Sequence, residues 1–305
     1  MTVISVNDLN CSSRRDKKKF IADCENKYSE KVNSIAEKIC KEKEETPIVL
    51  IAGPSGSGKT TTAKRIQQRL KEKGSGSIAI SMDDYYLPKN SPKIPYNDDG
   101  TPDLESPYRL DIDLLKEHFE KIFKCEEIEI PKFDFSTQSR LKGDLYKRKH
   151  DDIVILEGIH ALNPVISGEI SPHAMKIYIS VRTRLKLENS KIIHPSVIRL
   201  MRRLSRDLLY RGKDVEGVFN MFESVSYGEK KYISPYKKYS DIDLDTYLSY
   251  EVQIYKNLLK DKIKKQRDKL YQNERYKDIV RIFDDIEEID GKEDIPENSL
   301  IREFV

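Results

Sequence analysis

Ile48-Val49-Leu50-Ile51-Ala52-Gly53-Pro54-Ser55-Gly56-Ser57-Gly58-Lys59-Thr60-Thr61 joins an aliphatic run to a glycine-rich segment. Five aliphatic residues in a row have the length and composition of a strand buried on both faces. The next eight fit G-x-x-x-x-G-K-[ST], and a helical pattern runs on from about Lys59 to Lys73. Each part of that pattern has a physical use. Glycines let the backbone curl and come close to a phosphate without a Cβ in the way. The loop N–H groups and the start of the following helix point at an anion. Lys59 has the reach for β/γ-phosphates, and the Thr60 hydroxyl is a ligand suited to Mg²⁺. Strand, glycine loop and helix together predict a P-loop. Gly53, Ser55, Gly56, Ser57, Gly58, Lys59, Thr60 and Thr61 are the candidate nucleotide contacts.

Outward from this unit, strands alternate with helices. Ser77–Ser81, Glu127–Pro131, Ile153–Leu156, Lys176–Val181 and Ser240–Leu244 read as strands. Leu110–Phe123 reads as a helix, as do residues 14–45 and about Asp245–Lys269; the tail from about Lys292 to Val305 reads as irregular. The alternation predicts an α/β fold, a P-loop NTPase with a doubly wound parallel sheet, a helical lid and helical extensions at both ends. The expected division is an N-terminal helical extension over 1–46, a kinase core over 47–245 and a C-terminal helical extension and tail over 246–305. In the first extension Phe20, Cys24, Tyr28, Val32, Ile35, Ala36 and Ile39 form one apolar stripe, for packing on the core or on a second subunit. A homo-oligomer is therefore left open.

Phosphoryl transfer needs a group to receive the acceptor proton and a metal at the phosphate oxygens, both at the carboxyl ends of strands. Asp83 follows the second strand, and Glu157 ends Ile153–Glu157 in the manner of a Walker-B carboxylate. Residues 182–213 carry ten Lys or Arg against two Asp or Glu, and Arg199, Arg202, Arg203 and Arg206 recur at helical spacing. Such a basic lid neutralises charge on a transferring phosphoryl group.

The whole chain has 305 residues with 55 basic and 52 acidic side chains, a formal charge of +3. That near-neutral total argues against nucleic acid as the partner. The longest aliphatic runs fall far short of the ~20 residues of a membrane span, and the N-terminus shows no apolar targeting segment. Four cysteines without a C-x-x-C pair fit a reducing, cytoplasmic setting. A switch GTPase is excluded by the lack of N-K-x-D; Asp214-Val215-Glu216-Gly217 matches only the short D-x-x-G.

Together these segments resemble the uridine kinase and phosphoribulokinase-like family of P-loop kinases over roughly residues 47–245. The resemblance rests on Gly53–Thr62, Ser81–Tyr86, Glu105-Ser106-Pro107 and Pro131–Arg140, the last similar to P-x-Y-D-F-x-x-H-x-R. Leu156-Glu157-Gly158, Arg203–Asp207, Arg211–Asp214 and Lys237-Lys238-Tyr239 complete it, and Glu297–Phe304 is similar to the ending of certain bacterial nucleoside kinases. The resemblance implies ATP and Mg²⁺ as cofactors, with Asp83 as base and Thr60, Asp83 and Glu157 as metal ligands. It implies that Arg203 and Arg206 act on the phosphoryl group, with Arg211 and Lys213 beside them. The implied acceptor contacts are Asp83, Tyr86, Glu105, Phe133, Gln138, Arg140 and Arg206, with Glu105 on the ribose hydroxyls. Phe133 stands where the family has Tyr, Gln138 where it has His, and Lys213 where it often has Arg. The implied reaction is transfer of the γ-phosphoryl group of ATP to the 5′-hydroxyl of a nucleoside such as uridine. A sugar phosphate or pantothenate is the alternative acceptor. A nucleotide-dependent RNA-associated regulator, using the basic segment, is the alternative from another class.

Overall fold

The computed structural model describes residues 2–305 apart from Glu169 and Arg275. The elements in chain order are β1 (Val3–Ser5), α1 (Val6–Arg15), α2 (Lys17–Glu42), β2 (Ile48–Ala52), α3 (Lys59–Glu72) and β3 (Ser77–Ser81). There follow α4 (Ile112–Phe123), β4 (Glu127–Asp134), β5 (Ser139–Lys147), β6 (Ile153–Glu157), α5 (Pro164–Ser167), β7 (Ala174–Ser180), β8 (Arg184–Lys186) and β9 (Ile192–Ile193). The chain ends with α6 (Pro195–Tyr210), α7 (Val215–Gly228), β10 (Ile242–Asp245), α8 (Glu251–Lys264), α9 (Arg267–Gln272) and α10 (Lys277–Asp285).

All five residues of β2 are buried, and β2 lies in the middle of a parallel sheet ordered β10-β7-β2-β6-β3. The chain leaves β2 toward one edge at β3, returns through β6, and then builds β7 and β10 on the other side of β2. That reversal opens a crevice at the carboxyl end of β2, where α/β sheets bind their ligands. Alternate side chains divide the core between two faces. Val49, Ile51, Ile155 and Ile177 pack with α2, α3, α6 and α8. Leu50, Val154, Leu156 and Tyr178 pack with α4 and α5. The sheet is doubly wound, as the sequence pattern predicts.

The N-terminal stripe lies on the protein's own core rather than on a second subunit. Tyr28, Val32, Ala36 and Ile39 are buried in the same cluster as Ala63 and Ile66 of α3. Asp16 caps α2, accepting from the Lys19 N–H at 3.0 Å. The contact is polar as well. Thr62 Oγ1 donates to the Gly58 carbonyl at 2.7 Å, so the Tyr28 hydroxyl donates to Thr62 at 2.6 Å. Tyr28→Phe keeps the ring and strands the buried Thr62 acceptor. We expect a loss of about 1 kcal/mol, measured by urea unfolding, with no change in the slope of the transition.

Three expectations are corrected. Glu127–Pro131 is a strand but not of the central sheet: β4 pairs antiparallel with β5 as a separate hairpin, and its alternating burial shows a ribbon wet on one face. The helix expected over Asp245–Lys269 starts only at Glu251 and stops at Lys264. Residues before Asp16 form β1, paired parallel with β8, and α1. The tail is irregular as expected, with two short 3₁₀ turns, and it is packed: Leu300, Ile301, Phe304 and Val305 are all buried in the main cluster. Among the described residues no helix is long and apolar enough to cross a membrane.

Candidate active site

The loop after β2 takes its shape from two glycines. A Cβ on Gly53 would lie 2.0 Å from the Ile179 carbonyl oxygen, so only glycine lets the loop leave the sheet beside β7. Gly58 sits at φ +84° and precedes α3 with no side-chain cap. The first N–H groups of α3 therefore have no side-chain acceptor, the arrangement that suits a phosphate. Lys59 folds back on the loop, with Nζ 3.4 Å from the Pro54 carbonyl.

Two acidic residues stand at the carboxyl ends of neighbouring strands. Glu157 is the last residue of β6, next to Ser81 at the end of β3. Its Oε1 accepts from Thr60 Oγ1 at 3.0 Å and from Ser81 Oγ at 2.9 Å. Asp83 stands in the turn after β3. Burial, and then repulsion from Glu157, raise its pKa to about 6, partly offset by Lys59. The neighbouring Asp84 is used structurally, accepting from the Phe133 N–H at 3.1 Å. Thr60, Ser81, Asp83 and Glu157 offer only oxygen donors, a set that fits a hard cation such as Mg²⁺ and no softer metal.

On the acceptor side, Glu105 is half-buried, and its pKa is raised by burial against the pull of Arg203. His160, three residues beyond Glu157, is buried and meets the Tyr232 ring edge-on at 6.4 Å. Burial lowers its pKa to about 4, so the ring is neutral at physiological pH. A cavity of about 650 Å³ opens beside Glu105. It is lined by Asp98, Asp99, Asp103, Glu105 and Glu223, with Lys231 as its one basic residue. Tyr86, Phe133 and Phe135 form an aromatic group with ring centroids 5.1–6.0 Å apart. Gln138 is exposed in the hairpin turn, at φ +52°. Arg140 is already engaged, donating to Asp111 at 2.9 Å and to the carbonyls of Tyr85 and Tyr86 at 3.4 and 3.3 Å.

Much of the basic segment is inside the protein. Arg199, Arg202 and Arg203 are buried in α6. Arg199 pairs with Glu229 at 2.7 Å and Arg202 with Glu251 at 2.7 Å, so neither is available to a nucleic acid. Arg203 Nη1 reaches Ser55 Oγ of the phosphate loop at 3.3 Å. Buried Asp207 organises the remaining cations: Arg203, Arg206 and Arg211 approach it at 3.4, 2.9 and 3.5 Å. Arg206 also lies 3.8 Å from Glu303 of the tail, and Thr61 Oγ1 donates to the same carboxylate at 3.0 Å. Lys213 lies past the Gly212 turn that ends α6, against the Met221 sulfur. Asp214, of the D-x-x-G match, is an ordinary cap, accepting from the Gly217 N–H at 2.8 Å.

Sequence reasoning gave no role to Ser81, His160, Phe135, Asp207 or Glu303. All five stand within or beside the segments it singled out, and an isolated histidine two residues after a strand-end Glu-Gly is a readable signal. Nothing in the sequence brings Glu303 to Thr61, because that contact spans 242 residues.

A central P-loop strand, an uncapped helix behind it and a carboxylate closing the adjacent strand define an ATP-dependent phosphotransferase of the P-loop kinase class. The chain belongs to the phosphoribulokinase/uridine kinase family, whose sequence profile matches residues 48–252. It is 31% identical over 199 residues to the uridine kinase of Staphylococcus aureus strains JH9 and Newman, which spans 65% of this chain and 86% of that enzyme. Among solved structures it is similar to the D-glycerate 3-kinase of Cryptococcus neoformans var. grubii, at 14% identity and a TM-score of 0.47, covering 68% of this chain and 88% of that one.

Proposed function

We propose that this kinase transfers the γ-phosphoryl group of ATP to the 5′-hydroxyl of a nucleoside, with uridine among its substrates. The observation that carries this reading is the aromatic group of Tyr86, Phe133 and Phe135, with Tyr86 within charge reach of Asp83, Glu105 and Glu157. Such a surface suits a flat base beside the strand-end carboxylates, whereas a sugar phosphate or pantothenate has no ring to stack on it. The uridine kinase relatives support the same choice.

In this reading the base rests against Phe133, Phe135 and Tyr86, and Glu105 receives the ribose hydroxyls. Asp83 accepts the 5′-hydroxyl proton as the oxygen attacks the γ-phosphorus; the bond from that phosphorus to the bridging oxygen breaks, and ADP leaves. Lys59 and Arg203 hold the charge that builds on the phosphoryl oxygens, and Arg206 and Arg211 are held near them by Asp207. Thr60 and Glu157, with Asp83 nearby, would hold Mg²⁺, which when bound draws charge from the β/γ-phosphate oxygens. Four free cysteines fit a reducing, cytoplasmic compartment.

Phe133 brings no hydroxyl to the base edge, and Gln138 can present either its donor or its acceptor. Weak reading of the base follows, because sharp rejection requires a site group that loses a partner. We expect wild type to accept several nucleosides, and Phe133→Tyr with Gln138→His to narrow it toward pyrimidines. The measurement is ADP release with uridine, cytidine, inosine, guanosine, ribulose 5-phosphate and pantothenate. Turnover with either anion and none with nucleosides overturns the reading.

A further inference from the structure

Three consecutive carbonyls of the phosphate loop are each held from behind by a side chain outside the loop. Arg199 Nη1 donates to Ser55 O at 3.2 Å, Arg202 Nη1 to Gly56 O at 3.1 Å and Thr246 Oγ1 to Ser57 O at 2.8 Å. A trans peptide is planar, with its carbonyl and the next N–H pointing in opposite directions. Tying the Ser55 and Ser57 carbonyls outward therefore turns the Gly56 and Gly58 N–H groups the other way, toward the phosphate side of the loop.

Arg202 is itself fixed. Its guanidinium is fully buried and forms a two-pronged pair with Glu251, at 2.7 and 2.9 Å. It also donates to Thr246 Oγ1 at 3.3 Å and to Thr246 O at 2.8 Å. The Phe304 ring covers it, 5.3 Å from the guanidinium carbon. A buried ion pair of this kind adds little net stability over an apolar replacement. Its worth here is orientation: it joins α6, the start of α8, the residue after β10 and the phosphate loop in one network.

Resting on the kinase reading above, we propose that Arg202 and Thr246, with Glu251 behind them, are positioning residues for the nucleotide's β- and γ-phosphates. They touch no reacting atom. They set the direction of the loop N–H groups that do.

The test is calorimetric titration with Mg-ATP, Mg-ADP and AMP, together with thermal melting. Thr246→Val removes the donor at constant shape. We expect Mg-ATP and Mg-ADP to bind about tenfold more weakly, AMP affinity to hold, and Thr246→Ser to restore wild-type binding. Arg202→Leu alone strands the Glu251 charge and is prone to unfold. The paired replacement Arg202→Met with Glu251→Leu removes both charges and keeps the fold testable. It should weaken Mg-ATP by at least as much. Equal weakening of AMP and ATP, or unchanged Mg-ATP affinity in folded Thr246→Val and the paired variant, overturns the proposal. Wild type that fails to bind Mg-ATP at all would instead overturn the kinase reading beneath it.

Discussion

Asp83→Asn lowers kcat by about 10²–10⁴-fold, the usual worth of a placed general base, while Mg-ATP affinity stays near wild type. The amide keeps the shape of the side chain and cannot take the acceptor proton. The structure supplies a matched control in the adjacent Asp84, whose carboxylate serves the Phe133 N–H. Its loss should disturb the hairpin and KM for the acceptor more than kcat. The pH profile carries the same prediction. Asp83 has its pKa raised to about 6 by burial and by Glu157. Its active form is the ionised one, so kcat/KM holds above about pH 6 and falls as pH drops through that value. Asp83→Asn should lose this acid limb. If Asp83→Asn raises KM for ATP and spares kcat, Asp83 serves the metal or the fold and is not the base.

Arg203→Ala has the second large expected effect, a loss of about 10³–10⁵-fold in kcat, the range of an arginine that stabilises the phosphoryl transition state. Of the arginines in α6, Arg203 is the one that touches a side chain of the phosphate loop, at Ser55, and its charge is felt by Glu105 on the acceptor side. Arg199 is no silent control, since it holds Ser55 O and pairs with Glu229. Arg69, whose side chain is one-third exposed and pairs with Glu72 within α3, is a better one, and its replacement should leave kcat within about twofold, as a surface pair contributes little. Equal losses at Arg203 and Arg69 would mean that kcat responds to net positive charge and not to a placed guanidinium.

The parts of this molecule that could be read in advance are those set by local sequence. The β2 run, the glycine loop and the Arg211-Gly212 helix end are contiguous, and their backbone needs are visible in residue type. The α2 stripe was visible by its spacing, and the carboxylates Asp83 and Glu157 by their position after strands. What escaped depends on distant pairing. Glu127–Pro131 has strand composition whichever sheet it joins, and its partner β5 is a polar ribbon with weak alternation. The arginines of α6 have the same spacing whether they face a cleft or the core. Asp207 is readable at i+4 from Arg203, but the burial of Arg199 and Arg202 follows from Glu229 and Glu251, acids that sequence spacing does not place against them. The tail reads as irregular and is so, but its burial escaped reading because its apolar residues are only a few and irregularly spaced; it packs against Thr61 of α3 and against Arg202 and Arg206 of α6.

Mass spectrometry of the product tests the acceptor-dependent phosphorylation of a nucleoside. Purified protein with ATP, Mg²⁺ and uridine should yield uridine 5′-monophosphate and ADP in equal amounts, with no product from ribulose 5-phosphate or pantothenate in parallel reactions. ADP released at the same rate with and without uridine, or a phosphorylated sugar phosphate as the only product, would contradict the account.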